Sequence, residues 1–223
     1  YALTFTDGAL TINKANLTVT ASNASKTYDG QAFSGGNGVS YSGFVNNETS
    51  SVLGGALVYG GNSQNAVNAG SYTLTASGLS SNNYAISYSD GSLTINKASA
   101  TVTANSRTVT YNGLTQTVSG FSVSGLVNNE ASSVLTGLSE SGGSGTNAGS
   151  YSHSYSVGSY SGNYDLSFTG GALTISKASL TVTASNASKT YDGQAFSGGN
   201  GVSYSGFVNN ETSSVLGGAL VYG

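Results

Sequence analysis

The chain has 223 residues, with six Lys or Arg, nine Asp or Glu and one His, giving a formal charge of −3. Six dispersed cations make no basic stripe for a phosphate backbone, which excludes nucleic acid as a partner. The absence of Cys excludes disulfide frames and thiolate chemistry, and no run of 18 apolar residues forms a membrane-spanning segment. Charged residues are only 7% of the chain, and polarity comes instead from 41 Ser, 24 Thr, 22 Asn and 33 Gly. Disorder is rejected, because the apolar residues alternate in strand-like order and 15 Tyr are present.

Internal repetition organises the chain. Leu17–Gly60 recurs without a difference as Leu180–Gly223, which is 44 residues at an offset of 163. A weaker copy lies halfway, since Lys14-Ala15, Lys97-Ala98 and Lys177-Ala178 each open a stretch ending in Val-Thr-Ala. Val45-Asn46-Asn47-Glu48 matches Val127-Asn128-Asn129-Glu130, and Asn68-Ala69-Gly70-Ser71-Tyr72 matches Asn147-Ala148-Gly149-Ser150-Tyr151. The chain therefore divides into a tail of a preceding repeat at 1–13, a first-type repeat at 14–96, a second-type repeat at 97–176 and a truncated first-type copy at 177–223. Tyr1 stands where an initiator Met would, and no charged n-region with an apolar h-region appears, so any export signal is expected to lie outside this stretch. The sequence thus reads as a piece of a longer array.

In chain order, the elements expected are strands. In the tail, Leu10 and Ile12 share one strand face. Leu17, Val19 and Ala21 alternate with Thr18 and Thr20. Tyr28 packs while Asp29-Gly30 turns the chain. Asn46 to Leu53 breaks the period and predicts a loop with at most a short helical turn, capped by Asn and Glu48. Tyr72 and Leu74, then Tyr84, Ile86 and Tyr88, resume the alternation. Asp90-Gly91 predicts a tight hairpin before Leu93 and Ile95. Ile12 to Leu17 and Ile95 to Ala100 are odd steps, so the buried face changes side at each Lys-Ala joint or a bulge resets it. Each repeat is expected to hold six to seven strands and one crossover. A β-grasp-like and a sandwich-like arrangement fit equally, with small β-domains joined end to end without flexible linkers. Each domain of about 80 residues adds roughly 30–45 Å of length.

Thr27-Tyr28-Asp29-Gly30, the shared landmarks and the closing Gly-x-Leu-Thr-Ile-x-Lys-Ala resemble the YDG and MBG-type repeats of giant bacterial surface adhesins, many of them similar to the filamentous haemagglutinin family. The second repeat departs from the pattern with Tyr111-Asn112-Gly113. The resemblance implies stalk or filament modules, an extracellular or cell-surface location and no catalysis.

No catalytic, cofactor-binding or metal-binding residue emerges from the residues themselves. His153 takes the place of Leu74 in the sister repeat and reads as a packing or edge residue. One His and no Cys exclude the usual zinc ligand sets. Asp29-Gly30 and Asp192-Gly193 lack the ligand density of a calcium loop. Glu48 and Glu130 recur without a second acid nearby in sequence and read as caps. Gly35-Gly36-Asn37-Gly38 and Gly142-Gly143-Ser144-Gly145 lack the Lys and the strand-to-helix context of a phosphate loop and read as hairpin or loop tips. Asn16, Asn23 and Asn47 open glycosylation sequons.

Two functions remain. The first is a structural repeat of an adhesin or biofilm-matrix fibre, stiff and extended, whose partners are other copies of itself. Lys14, Lys26, Lys97, Lys177 and Lys189 are too few to guard many strand edges against pairing. The alternative is a multivalent module whose loop tips bind surface glycans or a host protein.

Overall fold

The computed structural model describes residues 1–160 and 162–222. The protein is all-β, and among the described residues the only helical pieces are three 3-10 turns at Ser50–Val52, Ser132–Val134 and Ser213–Val215. Among the described residues, no helix is long and apolar enough to cross a membrane. Two compact units divide the chain. One holds Tyr1–Ala100, Gly125–Val134 and Ser161–Asp165, and the other holds Thr101–Ser124, Leu135–Tyr160 and Leu166–Gly223.

The first unit carries seven strands, β1 (Ala15–Ala21), β2 (Ala24–Thr27), β3 (Val39–Ser42), β4 (Gly54–Gly60), β5 (Gly70–Ser80), β6 (Tyr84–Ser89) and β7 (Gly91–Asn96). They form two sheets, in the orders β3-β1-β6 and β2-β7-β5-β4. Leu17 and Val19 on β1, Leu74 on β5 and Leu93 on β7 are fully buried, because the period-two pattern sends them all to the facing sides. β1 packs on β5 and β7 of the other sheet, so the sandwich-like alternative is the one realised. Both β1–β6 and β2–β7 are parallel pairs, with Ala15↔Tyr84 and Ala24↔Leu93 setting the registers.

That topology corrects the expected hairpin at Asp90-Gly91. β6 and β7 do not pair with each other but lie in different sheets. Gly91 is needed for a close approach, because a Cβ there would lie 2.5 Å from the Ala21 carbonyl oxygen. Turn residues between two alternating runs mark the end of a strand, and which strand pairs next is decided elsewhere.

The odd step between buried residues is present at the Lys97 joint. Ile95 and Ala98 are both buried three residues apart, and the strand breaks at Lys97 before β8 (Ala98–Ala104). The tail departs from expectation. Residues 1–14 form no strand, and Leu10 and Ile12 are exposed, since no strand pairs with them.

The second unit holds β9 (Arg107–Thr110), β10 (Gln116–Thr117), β11 (Phe121–Ser124), β12 (Leu138–Gly142), β13 (Ser144–Gly145), β14 (Gly149–Val157) and β16 (Gly171–Ser176). β8 and β15 (Tyr164–Thr169) begin in the first unit and run into the second. One sheet takes the order β12-β14-β16-β9 and another β11-β8-β15. Val118, Leu173 and Ile175 form a buried cluster flanked by Val109, Tyr111 and Tyr151. Gly142-Gly143 joins β12 to β13 rather than capping a loop.

The identical 44-residue stretches differ in structure. Among the described residues from 180 onward, only β17 (Thr181–Ala184) and β18 (Val202–Ser205) form strands. Residues 187–190 and 217–222, which correspond to β2 and to the described part of β4, are not strands, and the long-range partners that β7 and β5 supply earlier are not within the repeated stretch. Val19 is 0% exposed and its twin Val182 is 48% exposed. Val19→Ala is expected to lower unfolding stability by about 1–3 kcal/mol. Val182→Ala, measured by the same denaturant titration, should leave it within about 0.5 kcal/mol of the parent.

Candidate functional site

The site is built on a four-residue turn. Val45-Asn46-Asn47-Glu48 closes with the Glu48 N–H donating to the Val45 carbonyl at 3.0 Å, and Asn46 and Asn47 have φ of +52° and +57°. Two consecutive left-handed residues make a type I′ turn, which Asn tolerates better than any other residue with a Cβ except Asp. The same turn recurs at Val127–Glu130 and Val208–Glu211 with the same 3.0 Å closure. The Asn pair therefore shapes the turn and does not cap a helix. The cap of each adjoining 3-10 turn in the first and third copies is Thr49 or Thr212, whose hydroxyl accepts from Ser51 or Ser214.

Freed from capping, each glutamate meets tyrosine. In the first unit, Glu130 accepts two phenolic hydroxyls, Tyr28 on Oε1 and Tyr164 on Oε2. The two rings meet edge to face with centroids 5.6 Å apart, a favoured aromatic geometry. Both tyrosines are buried, at 5% and 1% exposure. The Tyr164 oxygen also accepts from the Val127 N–H at 3.0 Å, so its hydroxyl is fully used. Burial, and then the Glu130 carboxylate, push the Tyr164 phenol up to about 12. A buried hydroxyl without a partner is costly, and a bond to a carboxylate is among the stronger ones available. The expectation that Tyr28 packs while Asp29-Gly30 turns the chain is met. Asp29 Oδ1 accepts from the Gln31 N–H and pairs with Lys26 at 2.7 Å, and the Lys26 hydrogen bond holds its carboxyl below the ordinary value.

Glycine completes the fit. Gly30, at φ +72°, lies so close to Asn128 that an added Cβ would sit 3.0 Å from the Asn128 Cβ. In the second unit the arrangement repeats with Tyr111 donating to Glu211 and Gly113 against Asn209, where the added Cβ would lie 2.5 Å away. Asn209 Nδ2 also donates to the Gly113 carbonyl at 3.0 Å. The Glu211 hydrogen bond raises the Tyr111 phenol. So a Tyr-(Asp/Asn)-Gly loop seats on the Asn-Asn-Glu turn that follows it by about 100 residues.

Two of the three clamps are half filled. Glu48 Oε2 takes Tyr84, and no bond to Oε1 occurs among the described residues. Glu48 lines a cleft of about 370 Å³ with Ile12, Lys14, Val45 and Tyr84. Glu211 takes Tyr111 but no second tyrosine among the described residues, and it lines a cleft of about 640 Å³ with Leu180, Phe207 and Leu216.

His153 occupies the strand position of Leu74. His153 faces Gly171 across the β14–β16 pair as Leu74 faces Gly91 across β5–β7. It is completely buried, yet it is more than filler. Nδ1 lies 2.8 Å from the Asn105 carbonyl and Nε2 lies 2.7 Å from Glu140 Oε1. A carbonyl oxygen can only accept, so Nδ1 carries a proton, and the carboxylate favours a second one on Nε2. Glu140 Oε1 also accepts from the Gly120 N–H at 3.1 Å, and Tyr155 stacks edge-on to the imidazole. The Asn105 carbonyl, with Glu140 assisting, raises the His153 pKa above the ordinary imidazole value against the opposing effect of burial. The hydrogen bond from His153 holds Glu140 low. The alignment located His153, while Glu140 and its role carried no signal in the sequence.

No group of three or more His, Cys, Asp or Glu able to hold a metal occurs among the described residues. Of the sequon asparagines, Asn23 is engaged through Oδ1, which accepts from the Ser92 N–H.

The family model for the MBG domain (YGX type) matches residues 17–94 and again residues 100–174. The chain belongs to that family. It is an adhesin-like tandem repeat module, of a family that is not generally enzymatic and whose repeats imply a surface or extracellular protein. No curated protein and no solved structure matches the chain. The two clamps that are occupied from an earlier loop now take on a regular place. Tyr28 of the first matched stretch reaches Glu130 of the second, and Tyr111 of the second reaches Glu211 of the copy after it.

Two tests follow from this geometry. Tyr164→Phe removes both hydrogen bonds of a buried hydroxyl, the one donated to Glu130 and the one accepted from the Val127 N–H, and should lower stability by roughly 1–3 kcal/mol in denaturant titration. For His153, the folded pKa is raised, so its contribution is complete below about pH 6.5 and is lost as pH rises through the folded value. For Glu140 the folded pKa is lowered, so its contribution is present above about pH 4.5 and is lost as pH falls through the folded value. The pair therefore stabilises most between those limits. His153→Leu should flatten the decline above pH 6.5 in a pH series of thermal melts.

Proposed function

We propose that the chain is a segment of a stiff, extended stalk or filament of a secreted or cell-surface bacterial adhesin or biofilm-matrix protein, made of two alternating β-domain types at about 14–96 and 97–176. The observation that carries this reading is the seating of each Tyr-(Asp/Asn)-Gly loop on the next Asn-Asn-Glu turn. A joint made only of a connecting strand bends freely. One that adds a buried tyrosine, a carboxylate and a glycine contact beside the strand resists bending about two axes. Equal treatment of every joint suits a protein selected for reach rather than for one unique pocket.

Low charge favours the related step of lateral or end-to-end association. Strand edges are ordinarily protected from pairing by charge, and this chain has few charges to place there.

Glu130→Ala should loosen the joint without unfolding either matched stretch. Paired spin labels on engineered cysteines, one in each matched stretch, would report it in a chain that has no native Cys. The distance distribution is expected to broaden markedly in Glu130→Ala. An unchanged narrow distribution in the variant, or a broad one already in the parent, would count against a stiffness role.

A further inference from the structure

Three Asn-Gly pairs occur in the chain, at Asn37-Gly38, Asn112-Gly113 and Asn200-Gly201. This pair is open to attack by the main chain on the side-chain amide, because glycine puts no Cβ beside the attacking nitrogen. All three asparagines are exposed, and the three glycines have φ of +88°, +73° and +85°. Exposure and glycine backbone therefore do not distinguish the three sites. Their hydrogen bonds do.

Asn37 Nδ2 donates to the Asn23 carbonyl at 2.8 Å, and Asn200 Nδ2 donates to the Asn186 carbonyl at the same distance. In both, the nitrogen that would have to leave is tied to the main chain. Asn112 is held the other way round. Its Oδ1 accepts from the Leu114 N–H at 3.0 Å and from Gln116 Nε2 at 2.8 Å. A main-chain N–H can only donate, so the amide oxygen is fixed on that side. Among the described residues neither Asn112 Nδ2 nor the Gly113 N–H makes a hydrogen bond. The two donors on Oδ1 also draw electron density away from the carbon under attack.

The fold accepts an acid at this place. In the sister turn, Asp29 Oδ1 accepts from the Gln31 N–H at 2.9 Å, the counterpart of the bond from Leu114 to Asn112. Both partners of Asn112 are donors, so a carboxylate would keep both bonds and strengthen them. Its charge would have no partner of the kind that Asp29 has. Lys26 pairs with Asp29 at 2.7 Å, and Val109 holds the place of Lys26, opposite Ile175 as Lys26 is opposite Ile95.

We propose that Asn112 is a site of spontaneous self-modification, through which the second-type repeat gains negative charge with age. The Gly113 nitrogen bonds to Asn112 Cγ, the Cγ–Nδ2 bond breaks, and Nδ2 leaves as ammonia with the proton that the Gly113 nitrogen gives up. Water then opens the cyclic imide. Opening at Cγ leaves aspartate in an ordinary main chain. Opening at the Asn112 main-chain carbonyl leaves isoaspartate, which adds a methylene to the loop. The two products differ in their effect on the seat. Gly113 is so close to the 208–211 turn that an added Cβ would lie 2.5 Å from Asn209, and its carbonyl accepts from Asn209 Nδ2. Aspartate preserves that fit. Isoaspartate displaces Gly113, and with it the neighbouring bond from Tyr111 to Glu211. The first-type turn starts as the acid at Asp29 and has no such step.

The test holds the intact folded chain in mildly alkaline buffer and samples it over days by tryptic digestion and mass spectrometry. The six cations place the three pairs in separate peptides, 27–97, 108–177 and 190–223. The acid should appear at Asn112 about fivefold faster, or more, than at Asn37 or Asn200, the effect of a leaving group not held by a hydrogen bond. Part of the product should be isoaspartate, read by isoaspartate-specific methylation, because direct hydrolysis of the amide gives aspartate alone. In concentrated urea the holding bonds are lost and the three rates should converge. Equal rates in the folded chain, no acid at Asn112, a product free of isoaspartate, or a lead that persists undiminished in urea would each overturn the proposal.

Discussion

A glutamate carboxylate that accepts buried tyrosine hydroxyls is the interaction on which the rest of this protein depends. Nine acids serve 223 residues, and three of them sit at equivalent turns doing equivalent work. The arrangement answers a specific difficulty. A large aromatic ring is the most effective way to bury area in a chain so poor in Leu, Ile and Phe, but its hydroxyl has to be satisfied. A carboxylate does so with two acceptor oxygens, which is why one glutamate holds two rings. Each of these glutamates remains partly exposed, so the carboxylate is not sealed in with the rings it holds. The I′ turn then matters because it presents the carboxylate at a set position, and only residues such as Asn accept that backbone.

The duplicated stretch separates what a sequence encodes locally from what it borrows. Features spanning a few residues survive in both copies. Lys26–Asp29 and Lys189–Asp192 pair at the same 2.7 Å, and Asn37 and Asn200 each donate to a carbonyl fourteen residues back at 2.8 Å. Thr49 and Thr212 cap the same 3-10 turn. The strands do not all survive, because β2 and β4 are held by β7 and β5, whose sequences lie outside the stretch. Strand propensity is thus a statement about available partners as much as about residues.

The same distinction explains what could be read beforehand. Period-two alternation located β1, β5, β6 and β7 and the buried face of each, because burial on one side is written directly in the order of residues. The Tyr-Asp-Gly turn was legible for the same reason, being closed by bonds two or three residues long. Asp90-Gly91 misled, since a turn signal does not say which sheet the next strand joins. Glu48 and Glu130 were found by repetition but assigned to capping, because their tyrosine partners lie 34 to 102 residues away. His153 was placed in a leucine slot correctly, and the paired Glu140 stayed hidden on a neighbouring strand.

The parallel pairs have a consequence for the order in which such a chain folds. Ala15 pairs with Tyr84, so β1 waits for a strand 69 residues further on before its inner edge is covered. Closing so wide a loop comes before any reward from contact, and β-topologies dominated by such pairings fold in milliseconds to seconds. A nascent chain adds roughly 5–20 residues per second. Each module therefore stays open for several seconds of synthesis, whatever its final stability. A polypeptide that must be threaded through a narrow passage before it sets gains from that delay, and here the delay comes from strand order alone.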